Sequence, residues 1–269
     1  MLTILIILAV LAVLYLLALR GRKNHPELKT LRGWNYAHRG LHGEGRPENS
    51  MAAFRAALEN GYGIELDIHL LADGNLAVIH DSLLKRTTGA EGKIEDLTTG
   101  ELINYRLENT EETIPTFAQV LDLFDGKAPL IVELKPVGGN HAALCAAACK
   151  MLDTYHGAFC IESFDPRCLM WLKKNRPNLI RGLLAYKYVG TRMDAPDYLK
   201  FLLTHNLLNF TCVPDFVAYR YCDRAYTPTN QICRKLWKAE GVSWTLKTKE
   251  EYDTAVEEGW IPIFEGFIP

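Results

Sequence analysis

The chain has 269 residues, 48% hydrophobic and 23% charged, which is enough apolar material for the core of one mid-sized domain. Its 30 basic and 32 acidic residues leave a formal net charge of -2 with no long run of either sign, so the basic footprint of a nucleic-acid binder is absent. Seven cysteines, none in a CxxC pair, fit reduced thiols in a reducing compartment rather than a disulfide framework.

Residues 2–19, LTILIILAVLAVLYLLAL, are apolar apart from Thr3 and run straight into Arg20, Arg22 and Lys23. As a helix this segment reaches roughly 27 Å, near the shortest length that spans a bilayer. The sequence therefore predicts a transmembrane anchor over residues 1–20, a polar linker over 21–31 and one folded domain over 32–269. A cleaved signal peptide is the alternative, but it wants positive charge before the apolar run and small residues at a cleavage site after it; neither is present. Because the basic residues follow the apolar run, the positive-inside rule predicts a single-pass membrane protein with its domain on the cytoplasmic side.

Beyond the linker, short apolar runs alternate with helical ones. Strands are expected at Asn35–His38, Gly63–Leu70, Leu76–His80, Leu130–Lys135, Ala158–Glu162, Leu179–Ala185, Leu208–Val213, Val242–Leu246 and Ile263–Phe264, with helices between most of them. Asn49 or Ser50 can cap the MAAFRAALEN helix and Thr248 the KEEYDTAVEEG helix, while Gly61 and Gly259 end them. The short ADGN connection at 72–75 implies an antiparallel return, and His80–Thr116 reads as an excursion above the strand ends. Strand, helix, strand repetition means parallel pairing, so the expected fold class is α/β, a (β/α)8 TIM barrel preceded by the transmembrane helix. A doubly wound open sheet is the competing architecture, but no GxGxxG follows the first strand.

Charged residues gather where strands end, which in such a barrel is the catalytic rim. AHRG at 37–40 places His38 and Arg39 there: an imidazole that moves protons near neutral pH and a rigid fork for a phosphate. In ELDIH at 65–69 the two-residue period sends Glu65 and Asp67 to one face, where paired carboxylates need a cation, a base or a proton between them. Oxygen ligands select a hard ion such as Ca2+ or Mg2+. IHD at 79–81 adds His80, and VELKP at 132–136 adds Glu133 and Lys135. Phosphodiester hydrolysis asks for this inventory: charge neutralised on the phosphoryl oxygens, a base for the nucleophile and an acid for the leaving alkoxide.

In this order, HRG (38–40), PENS (47–50), ELDIHLLADG (65–74), IHD (79–81), ELK (133–135) and SFD (163–165) resemble glycerophosphodiester phosphodiesterases, over about Trp34–Pro269. The resemblance implies metal-dependent cleavage of glycerophosphodiesters, such as glycerophosphocholine or glycerophosphoethanolamine, to glycerol 3-phosphate and an alcohol. It implies His38 and His80 as the acid–base pair, Glu65, Asp67 and Glu133 as ligands of Ca2+ or Mg2+, and Arg39 and Lys135 on the phosphate, with Glu48 close by. The chain departs from the family in having PENS for PENT, and in having Leu246 and Lys247 after Trp244–Thr245 where an Asn is usual. Trp244 is open to two readings, a stacking surface for the glycerol or a packed barrel residue; Lys247 is expected in solvent. Histidines 42, 69, 141, 156 and 205 read as surface or packed residues, although His69 shares a face with Glu65 and Asp67. Two alternatives stand beside the hydrolase of soluble diesters. One is a lysophospholipase D acting on membrane lysophospholipids; the other is a catalytically silent barrel that binds head groups or scaffolds a partner, against which the intact acids and bases argue.

Overall fold

Eight parallel strands close on themselves in the computed structural model, which describes residues 1–269. They are β1 (Tyr36–His38), β2 (Gly63–Leu70), β4 (Leu130–Leu134), β5 (Phe159–Ser163), β6 (Arg181–Ala185), β7 (Phe216–Arg220), β8 (Glu240–Leu246) and β9 (Ile261–Phe264). Each pairs with the next, and β1 pairs with both β2 and β9, so no barrel edge is left open. The extra strand β3 (Leu76–Val78) returns antiparallel along β2, as the ADGN turn implies.

Helix α1 (Leu2–Ala18) leads into the domain. The outer layer and excursion hold α2 (Met51–Glu59), α3 (Lys85–Thr88), α4 (Phe117–Phe124), α5 (His141–Leu152), α6 (Pro166–Asn175), α7 (Asp197–Thr204), α8 (Asn209–Cys212), α9 (Thr229–Leu236) and α10 (Lys249–Glu257). Ser50 caps α2 by accepting from the Ala53 amide at 3.1 Å, and Thr248 caps α10 through Glu251 N. One expected strand is wrong. Leu208–Val213 does not enter the sheet: Asn209–Cys212 turns into the short α8, and the sixth barrel strand, β7, follows at Phe216–Arg220.

Strand alternation divides the core. Ile64, Leu66 and Ile68 of β2 face the helices with Leu130, Val132 and Leu134 of β4, while Ile131, Cys160, Phe216 and Val242 fill the lower lumen. Gly182 in β6 makes room for the Phe216 ring, whose atoms would lie 1.9 to 2.4 Å from a Cβ placed there. The excursion carries its own small core, from Leu71 and Ile79 to Leu107 and Ile114. All seven cysteines are free, and Cys145 and Cys149 pack as small core residues.

Residues 21–31, expected as a linker, are built into the bottom of the barrel. Leu28 and Leu31 pack among Tyr36, Ile180, Phe216 and Ile263. Arg22 donates to both carboxylate oxygens of buried Asp215, each at 2.6 Å, and to the Leu179 carbonyl at 2.8 Å. Leu19 is fully buried, and the Trp237 indole donates to the Leu16 carbonyl at 2.9 Å. The preceding helix is 17 residues long, and its leucines, isoleucines and valines are exposed apart from the half-buried Leu16. The expected 18-residue span is thus not realised: no helix here is long and apolar enough to cross a membrane.

Candidate active site

The strand register assembles the site. His38 lies beside Glu65 across β1 and β2, and Asp67, Glu133 and Glu162 stand in one row across β2, β4 and β5. Inward alternation then sends these side chains to the upper lumen, where all four acids are buried. Gly40, at φ +83 and with backbone and ring atoms of Ala53 and Phe54 2.9 Å from any Cβ, turns the chain from His38 and Arg39 toward α2.

Glu65, Asp67 and Glu133 bring one carboxylate oxygen each to within 4.8 Å of one another. Lys135 Nζ lies 3.0 Å from Asp67 Oδ1 and 2.7 Å from Glu133 Oε1, yet neither oxygen receives a well-directed hydrogen bond. Burial, and after it the charges of Asp67 and Glu133, pushes Glu65 well above the usual carboxylate range. Glu133 is pushed up to about 7, by burial first and against the pull of Lys135. Burial also raises Asp67, but Lys135, His80 and Arg39 outweigh it and hold its carboxyl down. A cluster in which burial keeps two of three neighbouring carboxyls from ionising, with buried oxygens lacking directed donors, fits a hard divalent cation.

The bases surround this cluster. His38 Nδ1 is 2.7 Å from Glu265 Oε2, and its Nε2 is 3.8 Å from Glu65 Oε2. Burial lowers the His38 pKa, while the hydrogen bond to Glu265 opposes that shift; the same bond holds Glu265 down to about 2. His80 Nδ1 is 2.6 Å from Asp81 Oδ1, and burial lowers its pKa too. Arg39 donates from Nη1 to Glu48 Oε1 at 2.9 Å and holds Nε 3.4 Å from Asp67 Oδ2, with no hydrogen-bond partner on that Nε. Arg86 clamps Glu48 from the other side and also reaches Asp81. Asn49 donates to Asp67 Oδ2 at 2.9 Å.

Every expected site residue therefore lies at this rim. Trp244 lines a small cavity of about 40 Å³ together with His38, Arg39, Glu65, His80 and Glu133. Its indole donates to the Ala218 carbonyl at 3.1 Å, and its ring meets Phe164 edge-on. Lys247 is solvent-exposed, 3.8 Å from Glu265 Oε1. His69 is not among the cluster's ligand atoms: it is buried, 2.6 Å from Glu95 in the excursion and 3.1 Å from the His80 carbonyl. Two acids were overlooked. Glu162 sits in an apolar strand, where an inward acid in FCIES is the available signal, and Glu265 follows the last strand with no motif around it.

A wider groove of about 640 Å³ opens beside the cluster; it shares Glu133 and Lys135 and continues along Pro136, Phe164, Met193 and Leu199.

Comparison with known proteins agrees with the geometry. Residues 38–214 match the model of the glycerophosphoryl diester phosphodiesterase family. A glycerophosphodiester phosphodiesterase of Caldanaerobacter subterraneus subsp. tengcongensis is 31% identical over 242 residues, covering 83% of this chain and 89% of the relative. Glycerophosphodiester phosphodiesterase 1 of Mus musculus is 29% identical over 256 residues, covering 80% and 72%. An Oleispira antarctica phosphodiesterase, solved with the product sn-glycerol-3-phosphate, superposes with a TM-score of 0.71 at 22% identity, covering 86% of this chain and 92% of that one. The fold, the rim of acids and bases and these matches together make the chain a member of the glycerophosphoryl diester phosphodiesterase family, and an enzyme of that kind.

Proposed function

We propose that this rim hydrolyses soluble glycerophosphodiesters, such as glycerophosphocholine and glycerophosphoethanolamine, to glycerol 3-phosphate and an alcohol, using a Ca2+ or Mg2+ ion held by Glu65, Asp67 and Glu133. The observation that carries the reading is the triad of buried carboxylates flanked by two carboxylate-oriented histidines. When bound, the ion supplies charge neutralisation at the phosphoryl oxygens. Arg39 and Lys135, which already span the acids, orient the remaining phosphoryl oxygens. His38 and His80 divide the two proton transfers: each offers Nδ1 to a carboxylate, which leaves Nε2 to exchange protons with nucleophile and leaving group. Glu48, gripped by Arg39 and Arg86, fixes the Arg39 fork, and Trp244 with Phe164 walls the glycerol side.

We also propose that α1 holds the enzyme at a membrane with the barrel on the cytoplasmic side. Exposed apolar residues along the helix and Arg20, Arg22 and Lys23 at its foot support this. The helix joins the barrel floor, so the reaction mouth opens on the opposite face; this favours soluble diesters over bilayer lipids. The apolar side of the groove favours a second reading, cleavage of lysophospholipids. Glycerol 3-phosphate release by the full chain in detergent, with EDTA, Ca2+ or Mg2+, tests the first; metal-restored turnover should vanish in His38→Ala. Turnover of lysophosphatidylcholine alone would move the assignment to the second reading.

A further inference from the structure

A different set of donors converges on the outer side of His38. His38, His42 and Glu265 bring one ligand atom each to within 4.8 Å of one another, and His38 Nδ1 already lies 2.7 Å from Glu265 Oε2. The scaffold fixes them closely: His38 ends β1, His42 follows the Gly40 turn, and Glu265 comes directly after β9, which pairs with β1 at Ala37 and Phe264. All three are half-buried, so an ion from solvent has access. Lys247 Nζ, 3.8 Å from the other Glu265 oxygen, is mostly exposed and free to swing aside.

This donor set differs in kind from the oxygen-only triad a strand away. Two imidazoles and one carboxylate suit Zn2+, with three protein ligands and one open position, and suit Mg2+ and Ca2+ poorly. We propose that His38, His42 and Glu265 form a second, zinc-selective site whose filling blocks the proposed proton transfer at His38. Neutral His38 donates its Nδ1 proton to Glu265 and keeps the Nε2 lone pair for the reaction. Zinc on Nδ1 requires the other tautomer, so the ring proton moves through solvent to Nε2 and no net proton is released. A metal-bound imidazole gives up that Nε2 proton only far above neutral pH, so His38 neither accepts nor donates one during turnover.

The consequence for turnover rests on the hydrolase reading, whereas the site itself does not, and the test keeps them apart. Zinc binding to the full chain in detergent is measured by competition against a chromogenic chelator. Turnover at saturating Mg2+ or Ca2+ is followed in parallel while buffered free zinc is raised. His42→Ala and His42→Gln serve as the variants, since His42 has no part in the proposed chemistry. Outer-shell partners of a metal typically contribute about 10- to 100-fold in affinity, so losing a direct donor should weaken both zinc binding and zinc inhibition at least about tenfold, with zinc-free turnover unchanged. Unaltered binding and inhibition in both variants would overturn the site and place zinc on the acidic triad. Binding that depends on His42 but leaves turnover untouched would overturn the block at His38. If no divalent ion supports turnover, the hydrolase reading falls while the chelator titration still decides the site.

Discussion

At the scale of residues, two oxygen-to-nitrogen contacts set the proton chemistry. Truncating His38 to Ala should lower kcat by about 10²- to 10⁴-fold, the ordinary contribution of a positioned acid or base, with the fold intact by circular dichroism. Glu265→Gln should act more gently and through pH. Burial lowers the His38 pKa and the Glu265 bond opposes that, so removing the carboxylate charge lowers it further. The unprotonated imidazole then survives to more acid conditions, and the limb of the kcat/KM profile that His38 governs, acid if it is the base and basic if it is the acid, should move to lower pH. The triad offers a check that needs no substrate. A cation binding only the folded chain raises its melting temperature, so saturating Mg2+ or Ca2+ should raise Tm in the native chain and do so far less in Glu133→Gln. Most of this site was legible because ELD, HRG, IHD and ELK carry chemistry in adjacent residues. Glu162 was not, because its meaning comes from lying beside Glu133 in the register, a relation between strands that no local spacing encodes. The partner of His69, Glu95, was hidden for the same reason.

At the scale of elements, the sequence marked helix starts more reliably than it separated strands from short helices. Ser50 occupies the capping position expected, and Ser50→Ala should cost about 0.5–2 kcal/mol in denaturant unfolding. The seventh strand shows where pattern reading fails. LLNFTCV is apolar, aromatic and β-branched, and runs of that length do not distinguish strand from buried helix. Tertiary contacts decide: Asn209 donates to Cys233 and Cys212 is fully buried, while the true strand FVAYR lies just beyond Pro214. Phe216 of that strand enters the lumen only because β6 has Gly182 beside it. Gly182→Ala overpacks this point and should lower stability by about 1–3 kcal/mol, read from the denaturation midpoint.

At the scale of the whole molecule, the closed parallel barrel followed from the strand–helix alternation, whereas the role of residues 21–31 did not. Their polar composition resembles a tether, and only the ends of distant strands turn Leu28 and Leu31 into packing residues. Removing residues 1–24 would expose the seat of Leu19 and leave Asp215 without Arg22. Arg22→Ala alone should cost about 1–3 kcal/mol by leaving a buried carboxylate short of donors. A chain beginning at Leu16 should match the full-length melting temperature, whereas one beginning at His25 should melt lower.

The floor also bears on how the chain is made. Residues 22–31 leave the ribosome before any barrel strand, yet their partners include Asp215, Ile261 and Ile263. β1 likewise waits for β9. During synthesis an apolar leading helix is therefore available for capture more than two hundred residues before the floor it is joined to can be laid. The two ends of the barrel can be sealed together only when the final strand arrives.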